Sequence, residues 1–172
     1  MSAGWSRSVE RARRPRLRLP PPRGGPPPRA RRREIEDAER GPEGHSDADV
    51  LTHAVIDALL GAAGLGDIGQ HFPDTDERYR DADSLMLLSQ VCTFLEDHGW
   101  TIRHVDSTVM CERPRLGPHR DAMRAALAGT IGLPRLEVNV KFTTGEGIGF
   151  VGRGEGIAAQ AIATVERIDR DG

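Results

Sequence analysis

The stretch 45–76, HSDADVLTHAVIDALLGAAGLGDIGQHFPDTD, constrains the fold of this 172-residue chain more than any other. Its first half carries apolar residues at helical spacing, behind Ser46 or Asp47, either of which can cap a helix. The apolar positions are Val50, Leu51, Ala54, Val55, Ala58, Leu59 and Ala62. The stretch therefore predicts an amphipathic helix with one face in a core.

Three polar residues of this helix, Asp49, His53 and Asp57, recur at every fourth position and share one stripe. Lys, Glu and Arg usually dominate an exposed helix face, whereas short acids and an imidazole are typical of metal and phosphate sites. Two interpretations stay open. The stripe is either part of a site or a polar helix edge with an N-cap, because such spacings arise readily by chance.

A loop rich in Asp, Gly and Thr follows the helix. Gly66 and Gly69 flank Asp67, and Pro73 fixes a turn that carries Asp74 and Asp76. Such a loop is suited to holding hydroxyl groups and a hydrated cation.

The rest of the chain alternates helical and extended patterns. Helices are predicted at 85–98 and 119–131, strands at 100–111 and 136–144, and a glycine-rich turn at 145–156. Residues 157–167 are ambiguous, because their alanine content permits a helix while the alternation of apolar and polar residues permits a strand. Helix-length connections between strands indicate an α/β fold, a small sheet covered by helices on one face.

The charge of the chain is unevenly distributed. Residues 1–33 hold eleven Arg and one acid, a charge of +10, whereas residues 34–172 carry −12. Residues 1–40 are too rich in Arg, Pro and Gly to bury apolar surface, so we expect disorder there. Three interpretations compete: a basic arm for nucleic acid, a targeting peptide, and a mis-set start or shifted reading frame in a GC-rich gene.

Cys92 and Cys111 form neither a disulfide framework nor a metal-binding spacing, which suits a reducing cytosol. No run approaches the roughly 18 apolar residues of a membrane span. These features predict a soluble cytoplasmic protein without a membrane partner.

Several motifs in order resemble the 2-C-methyl-D-erythritol 2,4-cyclodiphosphate synthase family: HSDAD, a His eight residues after His45, DALLGA, LGDIG, HFPDTD, TTGE and GFVGRGEG. The resemblance covers residues 41–172 as one domain. It implies conversion of 4-diphosphocytidyl-2-C-methyl-D-erythritol 2-phosphate to the 2,4-cyclodiphosphate with release of CMP, on the non-mevalonate isoprenoid route. It also implies a strand at 157–167 and a homotrimer with the open sheet face turned to the shared axis and sites at subunit interfaces.

The resemblance further implies roles for individual residues. His45 and Thr144 stabilise the transition state, His53 is a zinc ligand, and Glu146 binds a Mg or Mn ion that bridges the diphosphate. Residues implied to contact substrate or line its pocket are His45, Ser46, Asp67, Ile68, Gly69, Phe72, Pro73, Asp74, Thr75, Asp76, Cys111, Glu112, Arg113, Pro114, Arg115, Leu116, Gly117, Thr143, Thr144, Gly145, Glu146, Phe150 and Arg153.

The chain departs from the family pattern in three places. Gly117 replaces a larger apolar residue, and Gly145 stands where Thr or Asn is usual. The family also has an Asp-x-His motif and a hairpin before the position of residues 43–44, whereas here no His precedes His45. This departure favours the mis-set or frame-shifted origin of residues 1–40 over both the nucleic-acid arm and the targeting peptide. The alternative function is a trimeric relative that lacks the metal site and only binds a cytidine nucleotide.

Overall fold

The chain forms a three-stranded sheet and five helices over residues 46–73, 75–79 and 82–168, which the structure, a computed structural model, describes. The predictions for His45, Asp74 and residues 1–40 lie outside these residues. The elements in chain order are α1 (Ser46–Ala62), α2 (Ile68–His71), α3 (Ser84–Asp97), β1 (Trp100–Met110), α4 (Arg120–Ile131), β2 (Val138–Thr143), α5 (Gly149–Gly152) and β3 (Ala158–Arg167).

The predicted helices and strands are confirmed to within a few residues at each end. The Asp83 side chain caps α3 by accepting a hydrogen bond from the Leu85 amide at 3.0 Å. Gly132 ends α4 in the left-handed conformation, with φ at 81°. The ambiguous last segment is a strand, as the family resemblance implied.

The sheet has β1 at its centre, in the order β2-β1-β3. β1 runs parallel to β2, with Val105 opposite Val138 and Met110 opposite Thr143. β3 pairs antiparallel to β1 and sets Ala158 opposite Met110. The carboxyl ends of β1 and β2 and the start of β3 therefore lie at one edge of the sheet.

The helices cover one face of this sheet, as the sequence predicts. α1 packs on β3, α3 on β1 and α4 on β2. Val105 and Val109 of β1 and Val138 and Val140 of β2 are buried on the helix side. On the other face of β3, Gln160, Ile162, Thr164 and Glu166 are exposed.

Leucine and valine side chains form the core between helices and sheet. Leu59 and Leu60 of α1 and Leu88 and Leu95 of α3 are fully buried, each contributing about 1.5–3 kcal/mol relative to an exposed position. Among the described residues, no helix is long and apolar enough to cross a membrane.

Candidate functional site

Two loops leave the carboxyl edge of the sheet side by side. The loop 111–117 follows β1 and the loop 144–148 follows β2. The Cys111 amide donates to the Thr143 carbonyl at 2.9 Å, which extends the strand pairing by one residue. In open sheets with parallel strands, ligands bind beyond the carboxyl ends of the strands, so this edge is the first candidate for a site.

The loop 111–117 is folded back on itself. The Cys111 thiol donates to the Pro114 carbonyl at 3.4 Å, and both Cys111 and Leu116 are buried. Arg113 and Arg115 are exposed. The loop thus offers two guanidinium groups to solvent from a fixed backbone.

The loop 144–148 is held by its glycines and by Glu112. Thr144 Oγ1 donates to Glu146 Oε1 at 2.7 Å, and the Gly145 amide donates to Glu112 Oε2 at 3.0 Å. A Cβ at Gly145 would lie 2.4 Å from the backbone nitrogen of Gly152. The structure therefore accounts for glycine at a position where the family more often has Thr or Asn.

Two of the three polar residues along α1 form hydrogen bonds with other elements, and the third is exposed. Asp57 Oδ1 accepts a hydrogen bond from the Ile68 amide at 2.8 Å, which ties α1 to the start of α2. Asp49 Oδ1 accepts from the buried Ser84 hydroxyl at 2.8 Å. His53 is exposed, with Nε2 3.4 Å from Ser84 Oγ. Since Asp49 and Asp57 accept hydrogen bonds from within the protein, the exposed His53 imidazole is the side chain of this stripe that can reach a ligand.

The acidic residues Asp67 and Asp76 of the loop after α1 bind to groups close to them in the sequence. Asp67 caps α2 and accepts from the Gln70 amide at 2.9 Å and from Gln70 Nε2 at 2.6 Å. Asp76 pairs with the Arg78 guanidinium at 2.6 Å and raises its pKa through that hydrogen bond. Phe72 is buried against Tyr79, with the ring centroids 5.1 Å apart. Ile68 and Pro73 are partly buried, whereas Gly69 and Thr75 are exposed.

The glycine-rich segment before β3 exposes an aromatic ring and an ion pair. Phe150 is 50% exposed. Arg153 Nε lies 2.6 Å from Glu155 Oε1, and this hydrogen bond lowers the pKa of Glu155 and raises that of Arg153. The segment therefore presents an exposed ring and a paired guanidinium and carboxylate to solvent.

Sequence reasoning missed Ser84 as a partner of the α1 stripe, the bond from Gly145 to Glu112, and the buried His71. His71 Nε2 lies 2.8 Å from the Leu65 carbonyl. No pattern distinguishes this His from the exposed His53, since both stand among apolar neighbours in the sequence. Ser84 alone had a signal, because Asp83-Ser84 marks the start of a helix.

The donors proposed for metals lie in separate parts of the described structure. His53 belongs to α1 and Glu146 to the loop after β2. The described residues contain no group of three or more His, Cys, Asp or Glu side chains able to hold one metal ion. His53 and Glu146 are donor types that suit divalent cations, but in the described structure each stands as a single donor.

The amino-acid sequence is similar to a family model and to named proteins. The YgbB family model matches residues 34–166. A 2-C-methyl-D-erythritol 2,4-cyclodiphosphate synthase of Rubrobacter xylanophilus is 58% identical over 130 residues, which cover 76% of this chain and 78% of the relative. The chain belongs to the 2-C-methyl-D-erythritol 2,4-cyclodiphosphate synthase family. The synthase of Salinibacter ruber is also 58% identical, over 74% of this chain and 82% of the relative.

Solved structures of this synthase family share the fold. The bifunctional IspDF of Campylobacter jejuni matches with a TM-score of 0.67 and 41% identity over 70% of this chain and 32% of that longer one. A synthase in a CDP-bound form matches with a TM-score of 0.62 and 36% identity, over 67% of this chain and 74% of that one. The predicted family and the helix-covered sheet are confirmed.

Proposed function

We propose that this chain converts 4-diphosphocytidyl-2-C-methyl-D-erythritol 2-phosphate to 2-C-methyl-D-erythritol 2,4-cyclodiphosphate and releases CMP. The observation that carries the proposal is the junction of the loops 111–117 and 144–148 at one sheet edge, in a chain 58% identical to named synthases. The named relatives support a lyase of isoprenoid biosynthesis.

In the proposed reaction, an oxygen of the 2-phosphate attacks the β-phosphorus, and the bond from that phosphorus to the oxygen of the α-phosphate breaks. Bringing two anions together requires charge neutralisation and alignment. Arg113 and Arg115 supply positive charge beside the nucleotide loop, and the Thr144 hydroxyl is a donor for a phosphate oxygen. His45 and Ser46 contribute further donors in this proposal.

Two divalent cations complete the proposed site. His53 would hold zinc and Glu146 would hold Mg or Mn. Because the family's Asp-x-His motif has no counterpart before His45, His53 is the zinc ligand of the family pattern that the sequence retains. Bound cations would withdraw charge from the phosphates and align them. The family relationship and the exposed His53 imidazole support this assignment.

We assign the remaining substrate contacts to two loops. The methylerythritol and ribose hydroxyls are assigned to residues 67–69 and 72–76, and the cytidine to residues 111 and 113–117. Solved relatives include a synthase in a CDP-bound form, which supports a cytidine nucleotide as the partner.

We further propose that residues 41–172 form one domain that assembles as a homotrimer in the cytoplasm, with sites at the subunit interfaces. The exposed face of β3 and the half-exposed Phe150 support an interface between copies. Arg153 lies near the axis in this arrangement. Cys92 and Cys111 are buried and form no disulfide, which suits a reducing compartment.

The test is an assay of the full chain with Mg²⁺, with and without added Zn²⁺. Release of CMP by chromatography and a cyclic diphosphate signal in the ³¹P NMR spectrum are the expected results, and both should disappear with EDTA. CDP binding without CMP release at saturating zinc would overturn the proposal in favour of the non-catalytic nucleotide binder.

A further inference from the structure

Glu112 joins the two loops of the candidate site. Its Oε2 accepts the Gly145 amide hydrogen at 3.0 Å, across 33 residues of sequence. The neighbouring backbone bond, from the Cys111 amide to the Thr143 carbonyl, is 2.9 Å long. The two loops are therefore fastened by one backbone bond at their base and one side-chain bond further out.

The bonded amide belongs to the peptide between Thr144 and Gly145. Its orientation is coupled to the backbone of Thr144, whose hydroxyl donates to Glu146 Oε1 at 2.7 Å. On the other side, a Cβ at Gly145 would lie 2.4 Å from the Gly152 nitrogen, and a Cβ at Gly152 would lie 2.5 Å from the Gly147 carbonyl carbon. The peptide is thus held between the Gly152 backbone and the Glu112 carboxylate.

The charge of Glu112 also requires an explanation. The carboxylate stands beside Arg113 and Arg115 in a loop proposed to face a diphosphate, where a free anion would repel the substrate. Glu112 is partly buried, and its carboxylate accepts a hydrogen bond from the Gly145 amide. The negative charge is therefore directed to a donor within the protein.

We propose that Glu112 is a positioning residue, which acts through the Gly145 amide to orient Thr144 and Glu146 and makes no contact with the substrate itself. This inference rests on the proposed function. It replaces the direct contact that the family resemblance implied for Glu112.

The test compares Glu112→Ala, which removes the acceptor, with Glu112→Gln, which keeps an oxygen acceptor in a side chain of the same length. Because misplacement of aligned groups is costly in rate, we expect Glu112→Ala to lower kcat by about tenfold or more, with the Kd for CDP changed by less than about threefold. Glu112→Gln should recover most of the lost rate. Glu137→Ala, an exposed acid just before β2, is the matched control.

A second readout does not depend on activity. Hydrogen exchange of residues 143–147, followed by mass spectrometry, should be faster in Glu112→Ala than in Glu112→Gln or the unchanged protein. If the unchanged protein releases no CMP, the proposed function fails, while this exchange measurement still decides the role of Glu112. If Glu112→Ala does not fold, Glu112→Asp, with its shorter side chain, takes its place.

Two results would overturn the inference. One is unchanged exchange and unchanged kcat in Glu112→Ala. The other is loss of CDP affinity in both Glu112→Ala and Glu112→Gln, which would indicate direct contact between the carboxylate and the nucleotide.

Discussion

Local backbone donors decide which of the many acidic residues remain available to a ligand. Asp57, Asp67 and Asp83 all accept hydrogen bonds from amides at helix starts. An uncapped helix start leaves unpaired donors, so short acids near one are drawn into capping. A sequence dense in Asp is consequently a weaker indication of a metal site than its composition implies.

The bond from the Ile68 amide to Asp57 predicts a difference between two substitutions. Asp57→Ala removes the acceptor and should lower the free energy of unfolding by about 1–2 kcal/mol, because the amide loses its partner. Asp57→Asn keeps an oxygen acceptor and should lose less than half of that. Urea denaturation measures both, with Glu96→Ala on the exposed side of α3 as control. Equal losses in the two Asp57 variants would contradict the capping role.

The open sheet face carries a pair whose pH dependence can be predicted. Lys141 Nζ lies 2.6 Å from Asp106 Oδ2, and this hydrogen bond, with a smaller contribution from Asn139, holds the pKa of Asp106 below its ordinary value. A carboxyl with a lowered folded-state pKa stabilises the protein above its unfolded pKa, and this stability is lost as the pH falls through the folded pKa. Because both side chains are partly exposed, the contribution is below about 1 kcal/mol.

Lys141→Met should therefore raise the pKa of Asp106 towards its ordinary value and make the loss of stability shallower as the pH falls below about 5. Carboxyl ¹³C NMR titration measures the first effect, and urea denaturation across this range the second. Asp106→Asn should flatten the stability profile in the same way. A pKa of Asp106 that stays low without Lys141 would show that another group is responsible.

At the scale of elements, the ends of helices are determined more strictly than their interiors. α4 contains Gly129 at an exposed position, where an added Cβ would meet no atom within 4 Å, and it ends at Gly132 with φ at 81°. The first glycine only weakens the helix, whereas the second permits a conformation that residues with side chains rarely adopt.

Alanine substitutions at these two positions should have opposite effects. Gly129→Ala should raise the free energy of unfolding by about 0.5–1 kcal/mol, since alanine favours the helix. Gly132→Ala should lower it by about 1 kcal/mol because of its left-handed backbone. Thermal denaturation of the two variants is the measurement. A stabilising Gly132→Ala would show that the end of α4 does not require this conformation.

The sequence was sufficient to predict these elements but only part of the site. Spacing located α1, α3, α4 and all but the last strand, because each buries one face and so repeats its apolar residues. Resemblance, rather than periodicity, decided β3, whose alanines suit either structure. The bond between Glu112 and Gly145 could not be predicted, since it depends on two loops that meet only after β1 and β2 have paired.

At the scale of the whole molecule, the two faces of the sheet differ in kind. One is sealed by α1, α3 and α4, whereas the other exposes Ile162, which is 72% accessible, among polar neighbours. A sheet with one uncovered face commonly remains solvated, and single exposed apolar residues are common on protein surfaces. Ile162 therefore serves as a probe of the proposed trimer, in which this face turns to other copies.

The proposed trimer predicts a mass of three times the 18.8 kDa of one chain by light scattering. Ile162→Glu places a charge in the proposed contact and should shift the mass towards one chain while the helical circular dichroism signal is kept. Ala126→Glu, on the exposed side of α4, should leave the mass unchanged. A monomeric mass for the unchanged protein would contradict the proposed trimer.

The packing of α1 on β3 also has a consequence for how the chain is made. The helix that opens the described structure rests on the strand that closes it, and β3 is the antiparallel neighbour of the central strand. During synthesis, α1 can pack on α3 and β1 as they emerge, but its largest contact, with β3, forms only after residues 158–167 have left the ribosome. Contacts between distant parts of a chain form slowly and leave apolar surface exposed in the meantime. The part of the apolar face of α1 that rests on β3 therefore stays uncovered until the end of translation.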